Sequence, residues 1–417
     1  MQSHMRCGRS WRVRVCYDVA LVPLNDPLGY MHRRLISPRH DWCALAESLG
    51  FHFHSIDGAP YWDESVFYAF TLREIEEEIE AASEEIEAMC MALVEEAVAS
   101  ESLLKRMAIP ESHWPTIAES WRRREPALYG RMDLRYDGKS RARFYEYNAD
   151  TPTSLYEAAF FQWLWLEQSR ERGCLPPEAD QYNYIQETLV ERLAAIGDAA
   201  KPFHVACCRD HVEDMGTATY LADCAVQAGM TPVFTYIDDI GHCPRQGFID
   251  LEGGSVQQLF KLYPWEWMLQ EEFAQHLAGS ETRFIEPAWK SVLSNKAILP
   301  LLWERHPGHP NLIAACFADA PRDEVLSGRW VRKPFFSREG ANIRVESRQG
   351  IDEEVLGPYA DGPQVLQAWC PPPEMGGQYP IIGSWIVGGK PVGMGLREDQ
   401  GAITRDSSRF VPHAILD

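Results

Sequence analysis

Long hydrophobic runs are missing from this sequence, and so are C-x-x-C cysteine pairs and an excess of basic residues. No run approaches the roughly 18 apolar residues that a membrane helix needs. The 11 cysteines form no C-x-x-C pair, so a reduced, cytoplasmic chain is expected rather than a disulfide scaffold. Acidic residues number 61 against 40 basic ones, a net charge of −21. This balance argues against nucleic acid and against an anionic membrane surface as partners, and any bound polyanion must occupy a local basic pocket.

The composition that remains is that of a globular protein. The chain has 417 residues, 45% hydrophobic and 24% charged, which suffices for roughly two or three modules, each with its own core. Residues 1–34 show no organised pattern, and we predict that they form a poorly ordered N-terminal extension. No internal repeat or low-complexity linker marks a boundary in the rest, 35–417, so a division near residue 290 is soft.

The periodicity of apolar residues predicts an α/β chain. Helical spacing runs from Leu72 to about Met107, with "REIEEEIEAASEEIE" as its solvent face. "FHVACC" and "PVFTYI" are predicted strands on either side of a helix over 214–229. A helix is also predicted over 180–198 and another in "NKAILPLLWERH". Further strands are predicted at "RWVRKPF", "ANIRVE", "PQVLQAW", "YPIIGSWIV" and "KPVGMGLRE". The last two are joined by "GGK", which favours a tight hairpin.

A polar cluster follows the predicted strand "ARFYEYNAD". Successive strand side chains point to opposite sides, so Glu146 and Asn148 share one face. The turn "DGKS" pairs this strand with "YGRMDLRY", which brings Asp133 beside them. Such an all-oxygen set suits Mg²⁺ carrying nucleotide phosphates, although a solvated strand edge is the alternative. Arg131 could bind a phosphoryl or carboxylate oxygen bidentately, or simply form a surface ion pair.

The residues after this strand predict a helix start. Either Thr151 caps a helix with Pro152 at its first position, or Ser154 and Glu157 form a capping box. In both cases free backbone N–H groups would favour an anion beside the acidic face.

A second cluster lies in "KPFFSREGANI", residues 333–343. Lys333 would stand at a strand end, and a loop with Ser337, Arg338 and Gly340 could form a mobile flap that clamps nucleotide phosphates. The alternative is an ordinary hairpin turn. Lys296, in "SNKAILP", is a second candidate phosphate contact or a surface lysine.

Three more charged residues have both a functional and an ordinary interpretation. Arg397, in "MGLRE", could neutralise charge during phosphoryl transfer, or form a salt bridge at a rim. Glu213 and Asp214, in "HVEDMGT", could hold a cationic amine, or be the acidic residues common at a helix start.

Several of these segments together resemble one known family. The stretches "EYNADTPTSLYEAAFFQW", "LFKLYPWEWM", "EPAWKSVLSNKAILPLLWE", "VRKPFFSREGANI" and "LREDQGAIT" resemble, in the same order, the synthetase domain of glutathionylspermidine synthase. The resemblance is closer still to the stand-alone acid–amine ligases of bacteria, and it covers about residue 36 to the C-terminus. No amidase-like region precedes it, so hydrolysis of glutathionylspermidine is not expected.

The resemblance implies an ATP-grasp fold of the glutathionylspermidine synthetase type, with mixed sheets and a mobile flap over the phosphates. Residues 35–290 would form the metal and substrate part, and residues 291–417 the nucleotide-clamping part. The implied roles are Mg²⁺ ligands for Asp133, Glu146 and Asn148, and ATP-phosphate contacts for Lys296 and Lys333. Gln367, Ala368 and Trp369 match the hinge beside the adenine. Arg131, Thr151 and Arg397 match positions near the carboxylate and the transferred phosphoryl group, and Glu213 and Asp214 match acidic amine-binding positions.

From these observations we expect an ATP- and Mg²⁺-dependent ligase that joins a small-molecule carboxylic acid to an amine through an acyl phosphate. The acid would be glutathione-like or another peptide acid, and the amine polyamine-like. A nucleotide-binding scaffold without ligation and a small-molecule kinase are the alternatives.

Overall fold

A computed structural model describes residues 30–56, 58–322, 325–338, 340–359, 361–405 and 408–416. The first 29 residues, and with them most of the predicted extension, lie outside this range. The strands are β1 (His32–Leu35), β2 (Ser55–Ile56), β3 (Ala59–Pro60), β4 (Val66–Phe70), β5 (Tyr129–Arg135), β6 (Arg143–Asn148), β7 (Pro202–Cys207), β8 (Thr231–Tyr236), β9 (Gly241–Cys243), β10 (Gly247–Ile249), β11 (Gln258–Leu262), β12 (Arg283–Ile285), β13 (Ala315–Phe317), β14 (Trp330–Pro334), β15 (Arg344–Ser347), β16 (Gly350–Glu354), β17 (Gln364–Ala368), β18 (Tyr379–Val387), β19 (Lys390–Asp399), β20 (Arg409–Val411) and β21 (His413–Ile415).

The helices cover the faces of these sheets. They are α1 (Trp42–Ser48), α2 (Leu72–Glu74), α3 (Ala81–Val98), α4 (Glu101–Arg106), α5 (Trp114–Arg122), α6 (Gln162–Glu171), α7 (Ile185–Ile196), α8 (Val212–Gln227), α9 (Trp265–Met268) and α10 (Ile298–Arg305). Segments Ile75–Glu80 and Glu157–Phe161 are π-helical, and short 3₁₀ turns occur at Glu111–His113, Ile237–Asp239, Glu272–His276 and Ala288–Ser291. None of the helices within the described ranges has the length and apolar character that crossing a membrane requires.

The central sheet has the strand order β20-β19-β18-β5-β6, and all its pairings are antiparallel. One face is apolar, because Met132, Leu134 and Met394 pack into the same core as α3. Ser83 of α3 also hydrogen-bonds Ser384 of β18 across this contact, at 2.7 Å. Since side chains alternate along a strand, the polar residues between these apolar ones lie on the opposite face.

Two further sheets flank the central one. The sheet β13-β17-β14-β15-β16 is antiparallel and carries the residues predicted to hold the nucleotide. The parallel sheet β12-β11-β7-β8 confirms the α/β pattern predicted around "FHVACC" and "PVFTYI". The central sheet combines strands from before and after residue 290, so the soft sequence division there does not separate two sheets.

The N-terminal boundary lies earlier than residue 34. β1 begins at His32 and pairs with β4, and the buried Met31 donates its backbone N–H to Glu74 Oε1 at 2.6 Å. Arg33 of β1 also binds the buried Glu398 with Nε at 2.8 Å. Residues 30–34 therefore belong to the folded region.

Two predicted helix features are wrong in detail. The long helix from Leu72 ends at Val98, and Ser100 caps a separate helix, α4, by accepting the N–H of Leu103. Neither predicted cap forms near Thr151. Helical geometry starts at Leu155, and Ser154 has a φ of 67°. Its hydroxyl points to other side chains instead of capping the helix.

The hairpin between β18 and β19 is confirmed. Gly388 and Gly389 have φ values of 59° and 82°, a left-handed conformation that a side chain would resist.

Candidate functional site

The pairing of β5 with β6 brings the predicted metal ligands onto one face of the central sheet. Asp133 lies directly opposite Glu146, and Arg131 lies opposite Asn148. Two carboxylates in this position repel each other unless cations compensate them. Arg131 Nε donates to Asp133 Oδ1 at 2.9 Å, and Arg397 Nη2 of β19 lies 3.6 Å from Asp133 Oδ2.

Two lysines from distant segments compensate Glu146. Lys296 Nζ lies 3.3 Å from Glu146 Oε2 and donates to the Ser337 carbonyl at 2.6 Å. Lys333 Nζ donates to the Tyr145 carbonyl at 3.2 Å. Burial alone would raise the pKa of Glu146, but Lys296 and Lys333 outweigh it and hold that pKa below its usual value. Burial lowers the pKa of Lys333 to about 8, although Glu146 opposes the shift.

These residues open onto a cleft between the central sheet and the β13–β17 sheet, which encloses about 710 Å³ of space that is partly open to solvent. Asp133, Glu146, Lys333 and Arg397 line its polar end, and Arg405 also lines the cleft. The rest of the wall includes the predicted hinge residues and apolar or small residues, among them Gln367, Ala368, Trp369, Cys370, Ile343, Ile381, Ala402 and Ile403. The cleft therefore combines an apolar compartment with a charged end, as a nucleotide requires.

The cationic surplus at the charged end is local. Two carboxylates face four cationic side chains, Arg131, Arg397, Lys296 and Lys333, in a chain whose net charge is −21. This is the basic pocket that a polyanion would need in this protein.

The flap residues divide between two sides of the site. Gly340 has a φ of 72°, and a Cβ there would lie 2.2 Å from the Thr404 carbonyl, so the flap packs closely on the 402–405 loop. The Ser337 hydroxyl is buried without a hydrogen-bond partner among the described residues. Arg338, predicted to contact nucleotide, donates to Thr151 Oγ1 at 2.8 Å and to Glu266 Oε1 at 3.2 Å. Thr151 is thus a partner of the flap and not a helix cap.

A buried polar cluster lies on the other side of Arg131. Tyr61 donates to Glu157 Oε1 at 2.8 Å and lies 3.3 Å from Glu213 Oε1, to which Ser154 also donates at 3.2 Å. Burial, followed by the nearby Glu213, raises the pKa of Glu157 to about 8. Arg131 links this cluster to the cleft, since its Nη1 donates to the Thr153 carbonyl at 2.8 Å.

Asp214, the next residue on α8, lies near Cys207 and Cys208, where burial and then the Asp214 charge raise the pKa of both thiols. The role of Glu213 and Asp214 as amine-binding acids stays a prediction.

Sequence reasoning missed Tyr61 and considered Glu157 only as part of a helix capping box. Glu157 had one usable signal: it is a single charge inside the apolar run "SLYEAAFFQW", and a charge in such a run is either paired or functional. Tyr61 lies far away in the chain and carried no comparable signal.

Other residues of the quoted motifs hold the sheets together. Lys261 and Asp150 form a fully buried ion pair at 2.6 Å, which joins β11 to the segment after β6. Glu286 accepts the backbone N–H groups of Leu128 and Tyr129. These contacts fix the start of β5 and the end of β6, and so the position of the polar face.

The oxygen donors of this face fit Mg²⁺. Asp133, Glu146 and Asn148 supply only carboxylate and carboxamide oxygens, which Mg²⁺ prefers. Asn148 Nδ2 is buried and has no hydrogen-bond partner in the described part of the chain, so that nitrogen does not hold the amide in place. No group of three His, Cys, Asp or Glu side chains suited to a metal occurs in the described ranges.

Comparison with solved structures shows the fold. A glutathione synthetase-like effector (GSS30) from Globodera pallida, in its apo form, superposes with a TM-score of 0.53 at 12% identity, over 84% of this chain and 88% of that one. The protein has the ATP-grasp architecture of the glutathione synthetase type, as the sequence resemblance implied.

Comparison of sequences then gives the family. The family described as "Glutathionylspermidine synthase preATP-grasp" matches residues 33–416, and the chain belongs to it. A Haemophilus influenzae protein described as "Putative acid--amine ligase" is 41% identical over 393 residues, which cover 91% of this chain and 98% of that protein. The bifunctional glutathionylspermidine synthetase/amidase of Escherichia coli is 29% identical over 84% of this chain. The trypanothione synthetase of Crithidia fasciculata is 27% identical over 74% of this chain. These last two matches cover 60% and 50% of the respective relatives.

Proposed function

We propose that the protein is an ATP- and Mg²⁺-dependent ligase that joins a small carboxylic acid to an amine through an acyl phosphate. The observation that carries this proposal is that four cationic side chains face two carboxylates at the charged end of the cleft. Family membership and the names of the relatives, which are ligases and synthetases, support the same reaction class.

Different residues of the cleft would bind the adenine and the phosphates of ATP. The apolar wall with Ile343 and Ile403 would take the adenine beside the hinge, and Lys296 and Lys333 would bind the phosphates. Mg²⁺, held by Asp133, Glu146 and Asn148, would neutralise phosphate charge and orient the transferred group. Because both lysines are buried, their charge is weakly screened, which favours a polyanion strongly.

Arg131 and Arg397 lie where negative charge would develop on the transferring phosphoryl group. The carboxylate of the acid substrate attacks the γ-phosphorus, the bond from that phosphorus to the bridging oxygen breaks, and ADP leaves. The two guanidinium groups, both at Asp133, are placed to stabilise the transferring phosphoryl group. The amine then attacks the acyl carbon and expels inorganic phosphate, which carries one oxygen of the original carboxylate.

The amine would approach from the side of Glu213. Glu213, Ser154 and Tyr61 offer a carboxylate and two hydroxyl groups beside Arg131. They would bind the amine near the acyl group, with the Glu213 carboxylate placed to accept the proton that the nitrogen must lose in order to attack, and positioning of this kind supplies much of the rate of a two-substrate reaction. The acid is proposed to be peptide-like and the amine polyamine-like.

Isotope transfer tests the reaction. An acid labelled with ¹⁸O in its carboxylate should deliver one labelled oxygen to inorganic phosphate for each amide formed. Arg397→Ala should slow this release far more than it weakens ATP binding, while Arg344→Ala, which pairs with Glu354 outside the cleft, should do neither.

Three results would contradict the proposal. Unlabelled phosphate accompanying amide formation excludes the acyl phosphate. A stable phosphorylated product indicates a kinase. ATP hydrolysis that no acid and amine accelerate indicates a nucleotide-binding scaffold.

A further inference from the structure

A second cavity lies behind the central sheet, on the face opposite to the cleft. It has a volume of about 1040 Å³ and is lined by residues of α3, the β5–β6 hairpin, the 3₁₀ turn at 288–291 and the β18–β19 turn. Tyr147, one of its wall residues, stands on β6 between Glu146 and Asn148 and points to the other side of the sheet. The cavity is thus separate from the cleft but shares a strand with it.

The wall contains two buried polar groups, Glu87 and Tyr147, which lie beside each other. Glu87 is 7% exposed and Tyr147 is 4% exposed. Neither Glu87 Oε2 nor the Tyr147 hydroxyl makes a hydrogen bond of acceptable geometry with any described residue. Burial raises the pKa of the Glu87 carboxyl, although Lys290 and the Tyr147 hydroxyl both act to lower it. Glu87 Oε2 thus lacks a well-formed hydrogen bond, and burying such an atom is costly.

The charge of Glu87 is only partly compensated. Lys290 lines the same wall and lowers the Glu87 pKa, but its Nζ donates to the Tyr129 and Ala149 carbonyls and lies 3.5 Å from Glu286. Two buried carboxylates, Glu87 and Glu286, therefore share one ammonium group. Arg192 also lines the cavity, but its guanidinium donates to the Ala127 carbonyl. The rim adds Glu95, Glu125 and Arg124, so it carries both signs.

Aromatic rings form part of the wall, and the Lys290 ammonium lies 5.6 Å from the Tyr147 ring and 5.9 Å from the Trp289 ring. Trp121 and Trp289 meet edge to face, with ring centroids 5.3 Å apart, and both line the cavity together with Tyr147. Aromatic faces attract organic cations, and an ammonium group can donate to Glu87 and Tyr147 at the same time. The alkyl part of an organic amine could therefore pack on the aromatic rings while its ammonium group binds the polar side chains.

We propose that this cavity is a second ligand site, which binds a small organic amine cation between Glu87 and Tyr147 and the two tryptophans. The site is independent of the proposed amine position at Glu213, because the two lie on opposite faces of the central sheet. Through Tyr147, its occupant contacts the strand that carries Glu146 and Asn148.

Calorimetric titration of the full chain tests this site with three probes: butylamine, phenethylamine and 1,4-diaminobutane. Each amine is compared with the alcohol of the same carbon skeleton. At least one amine should bind with a Kd below about 10 mM, and about tenfold more tightly than its alcohol. Glu87→Gln should weaken this binding about tenfold, and Tyr147→Phe, which removes only the hydroxyl, about threefold.

Two controls locate the bound amine. Glu95→Gln changes an exposed carboxylate at the rim and should leave the affinity unchanged, whereas Glu213→Gln should remove only binding at the proposed substrate position and keep the binding that depends on Glu87. Circular dichroism and thermal melting establish that each variant is folded, and if Glu87→Gln does not fold, Tyr147→Phe decides. The proposal is overturned if no amine binds, if the alcohols bind equally well, or if Glu213→Gln removes the binding while Glu87→Gln keeps it.

Discussion

Asp133 and Glu146 lie directly opposite each other on neighbouring antiparallel strands, and each is compensated by cations from other parts of the chain. A pair of carboxylates in this position is unfavourable without positive charge between or around them. The arrangement is consistent with a divalent ion as the further compensating charge.

Glu146→Gln should therefore abolish turnover and leave the fold intact. The change keeps the shape of the side chain but removes one hard ligand and its charge. We expect ADP formation to fall about 100-fold, or about 2.7 kcal/mol of barrier, with a higher Mg²⁺ requirement. Glu353→Gln, outside the cleft lining, is the control. Unchanged ADP formation at saturating Mg²⁺ would remove Glu146 from the metal site.

Lys333 should take up a proton when ATP binds. Its pKa is about 8 in the folded protein, mainly because of burial, and bound phosphates would raise it. At pH 8 we expect uptake of about half a proton, measured by calorimetry in buffers of different ionisation enthalpy. Lys333→Met should lose this uptake and bind ATP about tenfold or more weakly. Equal ATP affinity in the variant would show that Lys333 is not a phosphate contact.

The low pKa of Lys333 also makes the unfolding free energy depend on pH. Between pH 8 and its unfolded pKa, the unfolded chain binds the Lys333 proton more tightly than the folded one does. The contribution of Lys333 to the unfolding free energy therefore rises with pH across that window, and Lys333→Met should flatten it.

Glu157 should make the unfolding free energy fall with rising pH, in a pH range below that of Lys333. Its folded pKa is raised to about 8 by burial and Glu213, so between pH 4.5 and 8 the folded state binds more protons than the unfolded one. The unfolding free energy should fall by up to about 1.4 kcal/mol per pH unit across this range. Denaturant titrations of Glu157→Gln should show a shallower fall. An identical slope in both proteins would contradict the buried, proton-binding state of Glu157.

Gly383→Ala tests how Arg131 is positioned. A Cβ at residue 383 would lie 2.7 Å from Arg131 Cδ, so the guanidinium would have to leave Asp133. We expect activity to fall at least about tenfold, chiefly in kcat, while the variant stays folded. Gly241→Ala, where the nearest atom would be 3.5 Å away, should behave like the parent. Full activity of Gly383→Ala would show that the Arg131–Asp133 contact is dispensable.

Two truncations locate the N-terminal boundary. A chain starting at Met31 keeps β1 and the Arg33–Glu398 ion pair and should melt at the parent temperature with full activity. A chain starting at Ile36 loses both and should melt at least about 3 °C lower. Equal melting of the two truncations would show that β1 adds no stability.

The sequence by itself determined the face on which the metal candidates lie. Asp133, Glu146 and Asn148 belong to two strands joined by a short turn, and in a hairpin the register and the alternation of side chains follow from local geometry. The sequence also determined the strand β17, which carries the predicted hinge, and the strand β14, which carries Lys333. Both are short apolar runs bounded by turn residues, and such runs specify strands locally.

Only the tertiary structure decided which distant residues meet. Arg397 of β19 reaches Asp133 of β5 across β18, the strand that lies between them in the central sheet. Arg338 reaches Thr151 because the flap folds over the segment after β6. Ser154 turned away from its predicted cap for a similar reason, since Tyr61 and Glu213 offered its hydroxyl partners. These contacts join residues dozens to hundreds of positions apart. Their formation depends on how sheets and loops pack, and no local pattern of side chains encodes it.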